Sequence, residues 1–248
     1  MRRRAGIALA LALALPAAAP LRAQPLSQEQ RQEVLQLLRQ ALREDPGLIR
    51  EALAALDAAE QRDRAEAQRS AIAAEAAALF RDPADPAKGN PQGAVTIVEF
   101  FDARCGYCKQ LHPVVDQMLR RQRDVRVVLK DLPILGPASL VASRALLAAQ
   151  RQGKYAELQD ALMRLREEPA ETVLRRESER LGLDWTRLRR DMDDPAIAQR
   201  LEANTRLAGA LRIEGTPALV IGTTLVPGAV DLATLERLVA EARGAKGG

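Results

Sequence analysis

The chain contains two cysteines, Cys105 and Cys108, and only Gly106 and Tyr107 separate them. Two thiols at this spacing can form a disulfide across a very short loop, and other thiols can open that disulfide again. The pair can therefore pass between dithiol and disulfide while it exchanges a disulfide with another protein. This chemistry needs no bound cofactor, because the two sulfur atoms themselves carry the electrons.

Three other uses of a cysteine pair fit the sequence less well. A structural zinc site takes about four ligands, and His112 is the only histidine of the chain. Covalent haem attachment needs a histidine directly after the second cysteine, where this chain has Lys109. A purely structural disulfide would add little stability, because a short loop loses little entropy when it is closed. We therefore interpret Cys105 and Cys108 as a redox dithiol and predict no metal ligands.

The residues around the cysteines predict a strand, a helix and a second strand. The run AVTIVEFFD at 94–102 is apolar, β-branched and aromatic, as in a buried strand. A helix is expected from about Gly106, and VRVVLKD at 125–131 predicts the next strand. This order is typical of a parallel βαβ unit. The positive end of the helix would favour a thiolate at Cys105, with Cys108 one turn deeper.

The chain beyond this unit is mostly helical in pattern. Residues 137–211 carry four helical segments separated by glycine and proline, and TPALVIGTTLVPG at 216–228 returns to strand character. Asp231 is placed to cap a last helix. The predicted order is βαβ, a helical insert, two strands and a helix, which indicates an α/β fold.

The first 23 residues have the pattern of a secretory signal peptide. Arg2, Arg3 and Arg4 precede an apolar run at 7–15, and small residues lead to a cleavage site after Ala23. We therefore expect an exported, periplasmic protein. The signal contains four arginines and no acid, so 33 basic and 33 acidic side chains remain. That balance leaves no net positive field, and no nucleic-acid partner is predicted.

Residues 24–80 predict a helical extension ahead of the domain that carries the dithiol. Apolar residues recur at helical spacing over 34–42 and over 48–56. Residues 81–92 are rich in proline and glycine and predict a linker. The extension is too short to bury both stripes by itself. The stripes therefore either associate with another copy of the chain, which gives a homo-oligomer, or dock on the chain's own domain.

Two segments carry a resemblance to a known family. EFFDARCGYCK at 99–109 and GTPALVIG at 215–222 resemble the DsbA-like thioredoxin-fold oxidoreductases. The resemblance covers about residues 93–243, with the helical insert at about 137–211. DLPILGP at 131–137 and the helical extension are similar to the ScsC/Com1-like branch. The resemblance implies a thioredoxin fold with a helical insertion, preceded by an N-terminal helical extension.

The resemblance also implies roles for the residues of the cysteine motif. Cys105 is the nucleophile and Cys108 is the resolving cysteine. Gly106 and Tyr107 are the dipeptide that tunes the redox potential. Strong oxidases of the family often have Pro-His at these two positions, and the histidine stabilises the thiolate further. Tyr107 cannot do this as a cation, so a less extreme oxidant is expected.

Other roles are implied outside the motif. Thr216 and Pro217 match the family's cis-proline loop, which lies against the cysteines and binds an extended substrate strand. Glu99 matches the buried acid that relays a proton for the second cysteine; its alternative is a strand glutamate exposed at the edge of the sheet. Pro113 matches the proline that kinks the active-site helix. His112 is expected to be a satisfied helix residue near the site.

Several functions stay open at this level. Cys-Gly-Tyr-Cys with a threonine before the cis-proline is also similar to periplasmic disulfide isomerases of the DsbC type, which need more than one site around a client. The chain is therefore a monomeric oxidase or reductase, or an oligomeric isomerase. A third interpretation is a copper-binding or chaperone-like module whose dithiol holds Cu(I), a soft ion suited to thiolates. The expected partners are client proteins with cysteines and an unidentified membrane or periplasmic redox partner.

Overall fold

The structure is a computed structural model that describes residues 26–244. The chain divides into two compact units, with the boundary between Ala59 and Glu60. The predicted signal peptide, residues 1–23, lies outside the described residues. No helix between positions 26 and 244 combines the length and the apolar character that crossing a membrane requires.

The first unit is helical, as the apolar spacing predicts. Helix α1 spans Gln28–Glu44, and helix α2 spans Gly47–Ala74 and continues into the second unit. α1 begins with a reciprocal capping box, in which the Ser27 hydroxyl accepts from the Gln30 amide and the Gln30 side chain accepts from the Ser27 amide. No residue of α1 is buried. Its apolar side chains are therefore available for a partner.

The domain boundary differs from the prediction. The end of α2 and helix α3, Ala76–Phe80, belong to the second unit, and their side chains Ile72 and Leu79 are fully buried in its core. The expected linker, 81–92, contains strand β1, Ala87–Gly89. The sequence placed the boundary too late because the alanine-rich helices that end at Phe80 show little apolar periodicity, and a strand as short as β1 shows none.

Besides β1, the second unit contains the strands β2 (Val95–Phe101), β3 (Val125–Asp131), β4 (Ala218–Ile221) and β5 (Thr224–Pro227). They form a five-stranded sheet in the order β1-β3-β2-β4-β5. Strands β2 and β3 are parallel, and the other neighbouring strands are antiparallel. Helix α4, Gly106–Arg121, connects the parallel pair, which confirms the predicted βαβ unit.

A helical insert joins β3 to β4, and one further helix ends the described chain. The insert contains five helices where the sequence predicted four, because the short polar helix at 185–192 has few apolar residues to show its period. The helices are α5 (Pro137–Gln150), α6 (Tyr155–Arg164), α7 (Glu171–Arg180), α8 (Trp185–Met192), α9 (Pro195–Ala210) and α10 (Leu232–Gly244).

The two faces of the sheet are covered by different helices. Along β2, Ile97 and Phe101 pack in the cluster that contains the core residues of α4, α5 and α6. Val98 and Phe100 point the other way and pack with Ile72 and Leu79. Since successive side chains of a strand alternate between faces, Glu99 points to the α4 side. The fold thus brings an acid beneath the helix that carries both cysteines.

Candidate active site

The two cysteines lie at the start of α4 in unequal environments. Cys105 is the N-cap residue, with an extended backbone, and 7% of its surface is exposed, whereas Cys108 is fully buried. Both are free thiols. The next residue after Cys105, Gly106, has open space where a side chain would begin, and Tyr107 is 64% exposed. An incoming protein therefore meets Tyr107 and the edge of Cys105 before it meets Cys108.

The loop before β4 forms the wall beside Cys105. The Thr216–Pro217 peptide bond is cis. The Cys105 thiol donates a hydrogen bond of 3.2 Å to the Thr216 carbonyl, although the two residues are 111 positions apart. The structure therefore brings the cysteine motif and the predicted substrate loop together.

Burial keeps Cys108 in its neutral form. Loss of solvent raises the pKa of the Cys108 thiol far above its ordinary range, and the nearby charges of Cys105 and Glu99 act in the same direction. A backbone hydrogen bond at Asp102 opposes this shift only in part. Cys108 therefore needs a base before it can act as a nucleophile, because the thiolate is the reactive form.

Glu99 is a buried acid whose proton affinity suits that task. Its side chain is 2% exposed, which excludes the alternative of an exposed strand glutamate. Burial raises the pKa of Glu99 to about 7, with Lys88 opposing the shift and Asp116 adding to it. A carboxyl group that titrates near neutral pH can both accept and return a proton.

A second buried acid, Asp131, ends β3 on the same face of the sheet. Its carboxylate accepts a hydrogen bond of 2.6 Å from the hydroxyl of Tyr155. Burial raises the pKa of Asp131 to about 7, and the hydrogen bond from Tyr155 opposes this shift. Because Asp131 titrates in the same range as Glu99, a pH profile of the site needs a variant that separates the two.

Asp102, which the sequence did not single out, fixes the turn that carries Cys105. It is fully buried at the end of β2. One carboxylate oxygen accepts from the Arg104 amide at 2.8 Å, and the other accepts from the Ile134 and Leu135 amides at 3.0 and 3.1 Å. Two loops that are 32 residues apart in sequence are thereby joined at one side chain. The local sequence does not show that the amides of Ile134 and Leu135 will bind Asp102. The one feature that could have drawn attention to Asp102 is its position directly after a predicted strand.

We expect Asp102→Ala to lower the free energy of unfolding by roughly 3 kcal/mol, because three backbone amides lose a charged acceptor in a buried place. Urea denaturation followed by circular dichroism measures this change. Asp102→Asn keeps one acceptor oxygen, so its free energy of unfolding is expected to lie between that of the unchanged chain and that of Asp102→Ala. The exposed substitution Asp63→Ala is the control. If Asp102→Ala lowers the free energy of unfolding by less than about 0.5 kcal/mol, the range of ordinary surface substitutions, the hydrogen bonds to Asp102 do not stabilise the fold.

A polar cluster lies on the other side of α4. His112, one turn after Cys108, is buried, and its Nε2 atom is 3.3 Å from Asp160 Oδ1 and 3.6 Å from Asp116 Oδ2. Lys88 on β1 forms an ion pair with the same Asp160 oxygen. Burial and Lys88 lower the pKa of His112, and the two aspartates oppose this. His112 Nε2 makes no hydrogen bond to any described residue, so the expectation of a satisfied histidine is wrong at this atom.

The fold and the cysteine pair define a thioredoxin-fold protein with a dithiol at the start of a helix. The DSBA-like thioredoxin domain matches residues 96–240, which is more than half of the chain, so the chain belongs to this family. The family and the fold predicted from the sequence are thereby confirmed.

Two solved structures illustrate the relationship. A thioredoxin-like oxidoreductase from Silicibacter pomeroyi DSS-3 is 40% identical, with a TM-score of 0.66 over 68% of this chain and 97% of its own. A linker-deletion variant of Proteus mirabilis ScsC is 29% identical, with a TM-score of 0.67 over 90% of this chain and 99% of its own. The second likeness covers most of the N-terminal extension as well as the domain.

A curated relative is much longer than this chain. The Na(+)/H(+) antiporter NhaA 3 of Salinispora tropica is 31% identical over 166 residues, which make up 64% of this chain and 26% of the antiporter. The chain thus spans about a quarter of the length of that relative. The similarity is confined to one part of the antiporter.

Proposed function

We propose that the protein exchanges disulfides with client proteins through Cys105-Gly106-Tyr107-Cys108. One observation carries the proposal: the Cys105 thiol, at the start of α4, lies 3.2 Å from the Thr216 carbonyl, with Cys108 fully buried behind it. A client sulfur can reach only one of the two sulfur atoms. The substrate class is therefore a cysteine-containing polypeptide, which can lie along the backbone at Thr216 with Tyr107 beside it.

The reduction of a client disulfide then runs in two steps. The Cys105 thiolate attacks one client sulfur, which forms a mixed disulfide and releases the other client sulfur as a thiolate. Cys108 loses its proton to Glu99 and attacks Cys105, which forms the protein disulfide and releases the second client thiolate. Oxidation of a client dithiol is the same path in reverse, and Glu99 then returns the proton to Cys108.

We expect Glu99→Gln to slow the attack of Cys108 on the mixed disulfide by about 10²-fold at pH 7, because a general base is lost. In the unchanged chain the rate rises with pH until Glu99 is ionised and levels off above about 7, the raised pKa of Glu99. Below that pH the carboxyl group is protonated and cannot accept a proton. Stopped-flow release of a fluorescent client thiol across pH 5 to 9, roughly two units either side of that pKa, measures both effects.

Two controls separate Glu99 from other groups. The exposed substitution Glu66→Gln keeps the rate and the profile. Asp131→Asn tests the other acid with a pKa near 7 and is expected to keep the inflection that belongs to Glu99. A Glu99→Gln chain with an unchanged rate at every pH would leave Glu99 with a structural role only.

We propose further that the chain works as an isomerase held together by residues 26–59. The apolar side chains of this segment are exposed, including Leu35 at 49% and Leu53 at 54%. An assembly through these faces would present several dithiols to one misfolded client. Refolding of a substrate with scrambled disulfides tests isomerase activity, and the equilibrium with glutathione gives the potential. A potential in the oxidising range without isomerase activity favours the oxidase instead.

The proposed setting is the periplasm, after removal of the first 23 residues, with a membrane or periplasmic redox protein that resets the dithiol. The signal-peptide pattern supports this location. Sequencing of the exported protein is expected to begin near Gln24, and a form that keeps Met1 would contradict it. Copper titration of the reduced protein tests the alternative Cu(I) module, which requires stoichiometric binding at Cys105 and Cys108.

A further inference from the structure

The polar cluster beside α4 has the composition of a divalent-metal site. His112 and Asp116 are one helical turn apart on α4, and Asp160 faces them from α6. Their ligand atoms, one nitrogen and two carboxylate oxygens, all lie within 4.8 Å of one another. His112 is 5% exposed, and its Nε2 atom, aimed at the two carboxylates, has no hydrogen-bond partner among the described residues. A buried imidazole nitrogen that makes no hydrogen bond can use its lone pair to bind a metal ion.

The two spacings from His112 to the carboxylates match the coordination shell of zinc. Zinc binds histidine nitrogen and carboxylate oxygen at about 2.0–2.2 Å in tetrahedral geometry, which places neighbouring ligand atoms roughly 3.3–3.6 Å apart. The distances from His112 Nε2 are 3.3 Å to Asp160 Oδ1 and 3.6 Å to Asp116 Oδ2. Both carboxylates are partly exposed, so they can adjust and water can enter. Three protein ligands leave the fourth position to water.

Two basic side chains border the cluster. The Lys88 ammonium pairs with the Asp160 oxygen that a metal would use. Arg164 lies 3.8 Å from Asp116 and is mostly exposed. We infer that His112, Asp116 and Asp160 form a Zn²⁺ site, separate from the dithiol, in which the metal takes the place of the Lys88 ammonium at Asp160.

Calorimetric titration with Zn²⁺ tests this inference on the full chain, without an affinity tag and with Cys105 and Cys108 joined as a disulfide. The disulfide removes both thiols as ligands, and His112 is the only histidine of the chain. We expect one Zn²⁺ per chain. His112→Gln and Asp160→Asn each lower the affinity at least about 10-fold, as loss of a ligand or its support does. Lys88→Met raises the affinity about 10-fold, because the competing cation is removed.

Glu157→Gln is the matched control, since Glu157 lies on the same helix as Asp160 and pairs with Lys154 at 3.1 Å instead. It is expected to leave the affinity unchanged. Three results would overturn the inference: no saturable binding in the full chain, binding that survives both His112→Gln and Asp160→Asn, or binding that occurs only in Lys88→Met. The last result would mean that the lysine alone occupies the site. None of these results depends on disulfide exchange, so the inference can fail while the proposed function stands.

Discussion

A Cys108→Ser chain is expected to accumulate covalent complexes with clients through Cys105, and a Cys105→Ser chain is expected to accumulate none. The reason is access: Cys105 borders the Thr216 loop at the protein surface, whereas Cys108 is fully buried. Without Cys108 nothing resolves the mixed disulfide, because the chain has no third cysteine. Non-reducing gels and peptide mapping of the trapped complex measure the difference. Both variants lose catalytic turnover completely.

The double variant Cys105→Ser, Cys108→Ser is the control for non-specific capture. The exposed substitution Glu66→Gln, which keeps both thiols, is expected to retain turnover and to trap nothing. If Cys105→Ser traps clients better than Cys108→Ser, the two cysteines have the opposite roles, and the proposed direction of attack is wrong.

The second large effect is expected from the first unit of the chain. Leu35→Glu with Leu38→Glu places two charges on the exposed apolar side of α1. If that side holds copies of the chain together, the mass measured by light scattering falls from that of a dimer or trimer to that of a monomer. Burying a carboxylate without a partner costs several kcal/mol, roughly the scale on which small assemblies are stable.

The matched control places the same charges on the polar side of α1, as Gln32→Glu with Gln36→Glu. It is expected to keep both the mass and the isomerase activity. The Leu35→Glu, Leu38→Glu chain keeps client oxidation but loses isomerisation of scrambled substrates. A monomeric unmodified chain would contradict the assembly, and with it the case for an isomerase over an oxidase.

A truncation that tests assembly through the first unit has to remove the chain only up to residue 59, not up to residue 80. Ile72 and Leu79 fill the face of the sheet opposite α4, so removing them would expose Val98 and Phe100. Loss of two such side chains costs roughly 2–5 kcal/mol each. A chain cut at residue 80 would therefore report on the stability of the domain and leave assembly unanswered.

The sequence predicted the parts of the site whose signals are local. The apolar run of β2, the cysteine pair at the following helix and the Thr216–Pro217 pair just before β4 each have a short, recognisable pattern, and the Thr216–Pro217 peptide bond is cis in the structure. The resemblance to the family implied that Glu99 is buried, and its side chain is 2% exposed in the structure. These features depend on neighbours within a few residues, so a single sequence contains them.

The remaining features depend on contacts between distant residues. Asp102 acquires its partners from a loop 32 residues later. His112 meets Asp160 from another helix, and Lys88 reaches them from a strand too short to be predicted. The sequence around a residue does not show which distant residues it will contact. Such clusters can therefore be identified only in the folded structure.

The hydrogen bond between Cys105 and Thr216 also constrains the order in which the site is completed. The two residues are separated by 111 positions that include the whole helical insert. At a synthesis rate of about 5–20 residues per second, Thr216 is synthesised roughly 5–20 s after Cys105. Pairing of β2 with β4 is likewise a long-range step, which is slow by nature. A chain that is still being synthesised therefore lacks the Thr216 carbonyl that the Cys105 thiol contacts in the finished protein, and a chain that stops before residue 216 never gains that contact.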